Sequence, residues 1–521
     1  MKNKKFKISL LVFLIVAFGF FLRIYNIDNT PPGVYPDEAV NGEDALRALK
    51  TGNYQWFYTA NNGREGFFMN FIALCFSLFG VSILTLKLPA IIFSTLSIWG
   101  TYLFTKEIFN RRLAFISSFL VAFSFWSINF GRISFRANML PAILVFSFYF
   151  LFKGLYTKKW YDFAFGGAIF GFGMHSYIAW RIAPLILIAF LFFLIINRKK
   201  FIRDYWILIL TFLFASLIIA FPMIYTYLSH PEYLESRSAS VSIFSPEANG
   251  GSATLSFLRS FSLSLIKYTF VGDMNWRHNF KPYPILNPLV GLAFLFGIIF
   301  SIKMFFKSLF ARIKNNARTL ELEKYSFLLL WFFAMLAPEF LTAEGNPHAL
   351  RSIGTLPVAF IFAGITFEYL FDISKKFKPA SRKFTLCLII LILIFVGIFD
   401  VIKYHIVWAN KERVAYSFNK NLTDISRFIN DLPIDTETYV VTSYNTLEKL
   451  PIQIFNKGKA NHYLLPNELN KINPKDKNNF YIFFTENNQG AIEEVWQKFP
   501  QLQRQTIRLD RGSIFYILTT N

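Results

Sequence analysis

The chain is poor in charge for its 521 residues: Asp, Glu, Lys and Arg together make up 17%, against 54% hydrophobic residues. So small a charged fraction cannot clothe several soluble domains, and it excludes disorder and coiled coil. Cysteine is nearly absent. The two present, Cys75 and Cys387, both lie in apolar runs, which excludes a disulfide scaffold and a Cys-rich zinc site. Acid is scarcer than base, 32 residues to 54, leaving a net charge of +22. Residues 408–521 hold 14 basic and 12 acidic side chains, so the excess belongs to residues 1–407. There it falls in short clusters between apolar runs, the pattern of cytoplasmic loops, and implies no nucleic-acid partner. No Walker-type loop is present, which argues against ATP-driven transport.

What the chain has in quantity is long apolar sequence, with 66 Phe. Runs long enough to cross a bilayer lie near 8–25, 82–108, 113–131, 138–156, 161–179, 181–197, 205–228, 286–308, 325–342, 350–371 and 384–402. The first follows Lys2, Lys4, Lys5 and Lys7 and has no small-residue cleavage site, so it reads as a retained anchor. A twelfth stretch, 67–80, has only 14 residues. Placing it on the outer face puts the basic loops 106–112, 153–160, 197–204, 303–324 and 372–383 inside, as the positive-inside rule requires. The expected fold is a polytopic α-helical membrane protein of about 11 transmembrane helices plus an outer juxtamembrane helix. Residues 1–407 form the membrane module, with outer loops at 26–81 and 229–285. Residues 408–521, where TYVVTSY, NFYIFFTE and GSIFYIL alternate as strands, read as a small extracytoplasmic α/β domain.

Chemistry is sought on the outer loops. PPGVYPDEAVNGEDALRALKTG predicts a helix from Asp37 to Lys50 closed by Gly52, with Asp37 and Glu38 in its first turn, where the dipole favours ionised carboxylates. Such a group can take a proton from an incoming hydroxyl or amine, or can simply cap the helix. Basic residues stand where the charge rule does not want them: Arg64 beside Glu65, Arg132, Arg136, His175, Arg181, Arg277 with His278, His348 and Arg351. Singly each reads as a snorkelling or loop side chain; together they suit an anionic lipid phosphate. The two features describe transfer of a sugar from a lipid phosphate. The six histidines have no ligand spacing, so no zinc site is expected; Mg²⁺ or Mn²⁺ on Asp37 or Glu38 and the donor phosphate is compatible but not required. A transporter or flippase is the competing class, set apart by charged groups within its spans.

The order of basic N-terminus, first span and outer Asp37-Glu38 pair resembles the GT-C superfamily of integral-membrane glycosyltransferases. Within it the chain is most similar to the protein O-mannosyltransferase and lipid A aminoarabinose transferase branch. The similarity lies in NGREGFFMNFIALCFSLFGVSILTLKLPAIIF ending at Phe93, INFGRISFRANMLP (128–141), GDMNWRHN (272–279) and NPHALRSIGTLP (346–357). The resemblance implies that Asp37 is the catalytic base, that Glu38 lies beside it in the acceptor pocket, and that Arg64 and Glu65 belong to the donor site. It also implies a polyprenyl-phosphate sugar as donor, an outer-leaflet lipid, glycan or protein as acceptor, and a multi-pass plasma-membrane location. Where the lipid A branch carries an Asp at the second outer turn, this chain has Arg136-Ala137-Asn138.

Overall fold

The computed structural model describes residues 2–235, 242–245, 248, 250–315, 318–443, 447–456, 459, 461–476 and 479–520, with only the backbone for 2–7 and 235. All eleven apolar runs are helical. In order the elements are α1 (Lys2–Ile24), α2 (Pro36–Thr51), the short strands β1 (Phe57–Tyr58) and β2 (Arg64–Glu65), α3 (Phe67–Phe79), α4 (Ile83–Ile108), α5 (Arg111–Phe123) and α6 (Phe125–Gly131). After them come α7 (Met139–Thr157), α8 (Trp160–Phe172), α9 (Ala183–Asn197), α10 (Phe201–Ser229) and helices Ala253–Ile266, Pro288–Asn315, Leu320–Phe340, Leu356–Ser374 and Pro379–Ile402. Among the described residues seven helices are long and apolar enough to cross a membrane, or eight if α5 and α6, bent by 57°, count as one span. The run at 8–25, α8 and Leu320–Phe340 fall below that mark; α8 has only 13 helical residues, and Leu320–Phe340 carries Glu321, Glu323 and Lys324. At 13 residues, α3 is too short to cross.

The chain divides into two compact units. The first comprises residues 1–25, 55–68 and 90–404. Its interior is aromatic: Phe104, Phe148, Phe152, Phe327 and Trp331 pack edge to face, with Phe148 and Phe327 centroids 4.8 Å apart. Small residues let backbones approach, since a Cβ on Gly167 or Gly171 of α8 would lie 2.1 Å from the Phe212 or Ser216 carbonyl of α10. The α5–α6 bend has a local cause. Ser124 is extended and its hydroxyl accepts the Ser127 amide, so one helix ends and the next is capped at one residue, while Asp400 accepts the Phe125 amide at 3.1 Å. Arg23, fully buried, donates to Ser94 Oγ, Ser127 Oγ and the Gly19 carbonyl at 2.6–2.8 Å, satisfying a charge that would otherwise be costly in an apolar bundle. The opposite surface of the spans is bare hydrocarbon; Phe214, Leu217 and Phe221 on α10 are more than half exposed, as a lipid-facing wall requires.

The second unit joins residues 26–54 and 69–89 with 405–521. Its five-stranded sheet has order β4-β3-β5-β7-β6, with β3 (Glu437–Val441) parallel to β4 (Asn461–Leu464) and β5 (Phe480–Phe484), and β7 (Ile514–Thr519) antiparallel to β5 and β6 (Gln503–Arg508). Strand alternation sorts two cores. Phe480, Ile482 and Phe484 meet Ile492 and Val495 of helix Gln489–Lys498, whereas Val440, Phe483, Phe515 and Ile517 meet Leu422, Ile425 and Ile429 of helix Lys420–Asp431. Helices Glu412–Ser417 and Lys420–Asp431 are separated at Asn419, whose φ is +49°. The Asn421-Leu422-Thr423 triplet, which fits a glycosylation acceptor, is occupied internally: the Asn421 amide donates to the Thr485 carbonyl and Thr423 is buried.

Segment 26–35, which leads into α2, is held by the C-terminal residues of this unit. Thr423 Oγ1 accepts the Val34 amide at 3.1 Å, Arg427 donates to the Asp28 carbonyl at 2.7 Å, and Arg511 to the Asn29 carbonyl at 2.8 Å. Gly33 has φ +145°, and a Cβ there would lie 2.7 Å from the Phe418 carbonyl, so the close pass requires glycine. α2 itself packs on helix Lys449–Phe455, where Gly42 faces Ile454.

Candidate functional site

α2 begins with Pro36 at its first position and ends at Gly52 in the left-handed region, as the sequence pattern predicts. Glu38 turns inward. One of its carboxylate oxygens accepts the Tyr35 amide at 3.3 Å, and the other lies 3.9 Å from Lys87 Nζ of α4, with both side chains fully buried. The face shared by Asp37, Asn41 and Asp44 is buried at Asn41 and Asp44; Asp44 accepts from Arg47. Asp37 is half-buried, the more open of the two carboxylates in that first turn. Mg²⁺ or Mn²⁺ on the pair does not fit well, because Glu38 already caps the helix and faces an ammonium group. Lys87 escaped the sequence reading because it sits inside ILTLKLPAIIF, a run read as span; the signal was the lone cation itself, costly there without a partner.

In the first unit, β1 and β2 form a hairpin whose turn, Asn61-Asn62-Gly63, is left-handed at all three residues. It closes at Gly66, whose amide donates to the Trp56 carbonyl and whose Cβ would sit 2.0 Å from the Gln55 carbonyl. The hairpin presents Glu65 to Arg136 at 2.6 Å. The Arg136 guanidinium also lies 5.7 Å from the Tyr177 ring, while Arg181 donates to Tyr227 Oη at 3.1 Å and lies 5.1 Å from its ring. His175 is tied to the Ile219 carbonyl and packs 5.6 Å from Trp56. Arg64 is buried and donates to the Ala60 carbonyl. Glu65, Arg136 and Arg181, with Tyr177 and Tyr227, thus make one cationic, aromatic-walled group. The tyrosines were not singled out from sequence, being two among 24.

Arg132 corrects an expectation. It is fully buried, donates to the Leu22 carbonyl at 2.7 Å and faces the Tyr404 ring at 5.6 Å, so it joins α1 and α6 rather than facing a lipid head group.

The loops 272–279 and 346–351 hold a second group. Asp273 accepts from His278 Nδ1 at 2.9 Å, from the Ala349 amide at 2.7 Å and from the Asn275 amide at 2.8 Å, and His348 Nδ1 lies 3.9 Å away. Burial alone would raise the Asp273 carboxyl, but the histidines and the amide outweigh it and hold it down to about 2. Burial pushes His348 well below the usual imidazole range, and neighbouring His278 adds to the effect. Arg351 donates to the Glu344 carbonyl, and the Glu339 carboxylate, paired with buried Lys267, accepts the His348 amide. The Arg277 carbonyl accepts from Asn129. The expectation that no histidines share ligand spacing is corrected here. One carboxylate oxygen and two imidazole nitrogens lie within 4.8 Å of one another, a donor set that suits a first-row divalent ion such as Zn²⁺, although Asp273 already clamps the two loops by hydrogen bonds. His278 and His348 are 70 positions apart, which is why spacing within one segment missed them.

Residues 67–226 match the family model described as dolichyl-phosphate-mannose-protein mannosyltransferase. No curated protein sequence matches the chain at a significant level. Two solved structures share the fold. ArnT from Cupriavidus metallidurans, bound to undecaprenyl phosphate, is 13% identical with a TM-score of 0.54, covering 98% of each chain. The archaeal oligosaccharyltransferase AglB from Archaeoglobus fulgidus, in complex with an inhibitory peptide and a dolichol-phosphate, is 15% identical with a TM-score of 0.52, covering 98% of this chain and 74% of the other. With the helical bundle, the hairpin and the small α/β unit, these similarities give the chain the fold of ArnT and AglB, and residues 67–226 their likeness to the dolichyl-phosphate-mannose-protein mannosyltransferase family.

Proposed function

We propose that the protein moves a sugar from a polyprenyl-phosphate donor to an acceptor at the outer face of the plasma membrane, with inversion at the anomeric carbon. Asp37 takes the proton from the acceptor hydroxyl or amine as that atom bonds to the anomeric carbon. The bond from that carbon to the phosphate oxygen breaks, and the lipid phosphate leaves with the electron pair. Arg136 and Arg181 are the residues we assign to the phosphate, the first exchanging Glu65 for it. The observation that carries the reading is the unequal burial of the pair at the start of α2: the Glu38 side chain is wholly buried against Lys87, whereas Asp37 is half-buried and so the carboxylate an acceptor can reach. The family match and the lipid phosphates carried by the two similar structures support the donor class. On this reading residues 405–521 hold segment 26–35 and so orient α2.

The test is incubation of purified protein with a panel of polyprenyl-phosphate sugars and mass spectrometry of the released lipid, for the native chain and for Asp37→Asn. The expected result is turnover of one donor by the native chain and a loss on the order of 10²–10⁴ in the variant, with folding unchanged. Undiminished turnover in Asp37→Asn rejects it as base.

A further inference from the structure

A groove of about 570 Å³ runs between α1 and α4 in the first unit. Its walls are apolar and aromatic. α1 supplies Phe13 and Val16, and α4 supplies Trp99 and Tyr102; Phe13 is 65% and Trp99 44% exposed, so the groove opens sideways. One end is polar and cationic, formed by Ser9, Lys106 and Arg111. Ser9 to Val16 and Trp99 to Lys106 are both seven residues, about 10 Å at the helical rise, so the walls are of equal length. Lys106 reaches back along the Tyr102 ring, 5.9 Å from its centroid, and Glu107 is the one acidic neighbour in sequence. Lys106 and Arg111 belong to the basic loop that the charge rule places in the cytoplasm.

We propose that this groove binds an anionic glycerophospholipid of the cytoplasmic leaflet, its phosphate between Lys106 and Arg111 and one acyl chain along Phe13, Val16 and Trp99. The chemistry at each end is separate. A cationic rim at head-group depth attracts a phosphate, each charge contributing roughly fivefold in affinity, while the aromatic wall accepts a chain that only a membrane lipid supplies. The site shares no residue with the proposed transfer chemistry and does not depend on it.

The experiment uses the full chain in detergent with phosphatidylglycerol or phosphatidylcholine brominated on the acyl chains, reading quenching of the emission that Trp99→Phe removes. The expected result is quenching of that component by brominated phosphatidylglycerol at several-fold lower lipid content than by phosphatidylcholine. Lys106→Gln with Arg111→Gln removes the preference, and Lys106→Arg with Arg111→Lys keeps it, with thermal unfolding confirming that each variant is folded. Equal quenching by the two lipids overturns the proposal, as does a preference that survives the Gln pair. Displacement of the quencher by an equimolar polyprenyl phosphate overturns the assignment to a glycerophospholipid.

Discussion

Two carboxylates, Glu38 in the second unit and Glu65 in the first, each face one cation, and the two pairs are built for opposite ends. Glu38 and Lys87 are wholly buried at 3.9 Å, whereas Arg136 meets Glu65 at 2.6 Å and keeps 14% of its side chain exposed. A buried pair cannot exchange partners, because removing either charge strands the other in a low dielectric. A partly exposed arginine can trade a carboxylate for a phosphate at little cost. The first pair is therefore read as a brace and the second as a ligand site.

The sharpest way to break this contrast is Lys87→Met, which leaves Glu38 without its cation. Stability in detergent falls by about 3–5 kcal/mol, and Glu38→Gln added to it recovers most of the loss. A Lys87→Met chain that melts normally would show the brace to be idle. Arg136→Ala, by contrast, leaves melting within about 1 kcal/mol of the native chain and raises the KM for the lipid donor on the order of tenfold. Equal changes in KM for donor and acceptor would count against a donor-phosphate role.

The loop clamp at Asp273 adds a pH test. His348 has a folded pKa below its unfolded one, so the unfolded chain binds more protons as pH falls through 6.5, and stability drops there. Asp273, held down to about 2, loses its contribution only on acidification below its ordinary value near 4. His278, Asp273, Arg351 and Lys267 act on the His348 imidazole, and the Glu339 carboxylate accepts its backbone amide. The melting temperature is expected to decline between pH 7 and 5, and His348→Gln to flatten that decline. The smallest effect belongs to Thr423→Ala, which removes one acceptor from the Val34 amide and costs about 1 kcal/mol. If donor KM moves in that variant while kcat does not, α2 is not what Thr423 positions.

The membrane helices were legible because lipid demands long apolar runs, and the strands at 437–441, 480–484 and 514–519 because half-buried sheet alternates. Arg64 beside Glu65 stood out as a cation where the charge rule does not want one, but that Glu65 pairs with Arg136 could not be read from spacing. Long-range pairing was not legible. Lys87 passed unnoticed within the run 82–108 although Glu38, 49 positions earlier, lies against it, and Arg132 looked like a snorkelling or loop cation until Leu22 and Tyr404 enclosed it. Asp273 was one letter in a similar loop; its meaning depends on Ala349 and His348.

The three hydrogen bonds that steady segment 26–35 join residues separated by 389, 399 and 482 positions. A ribosome completes α2 long before it reaches Thr423, Arg427 or Arg511. Every span can insert while the segment leading into that helix still waits for its support, so the lead-in to α2 is among the last parts of the fold to be secured during biogenesis.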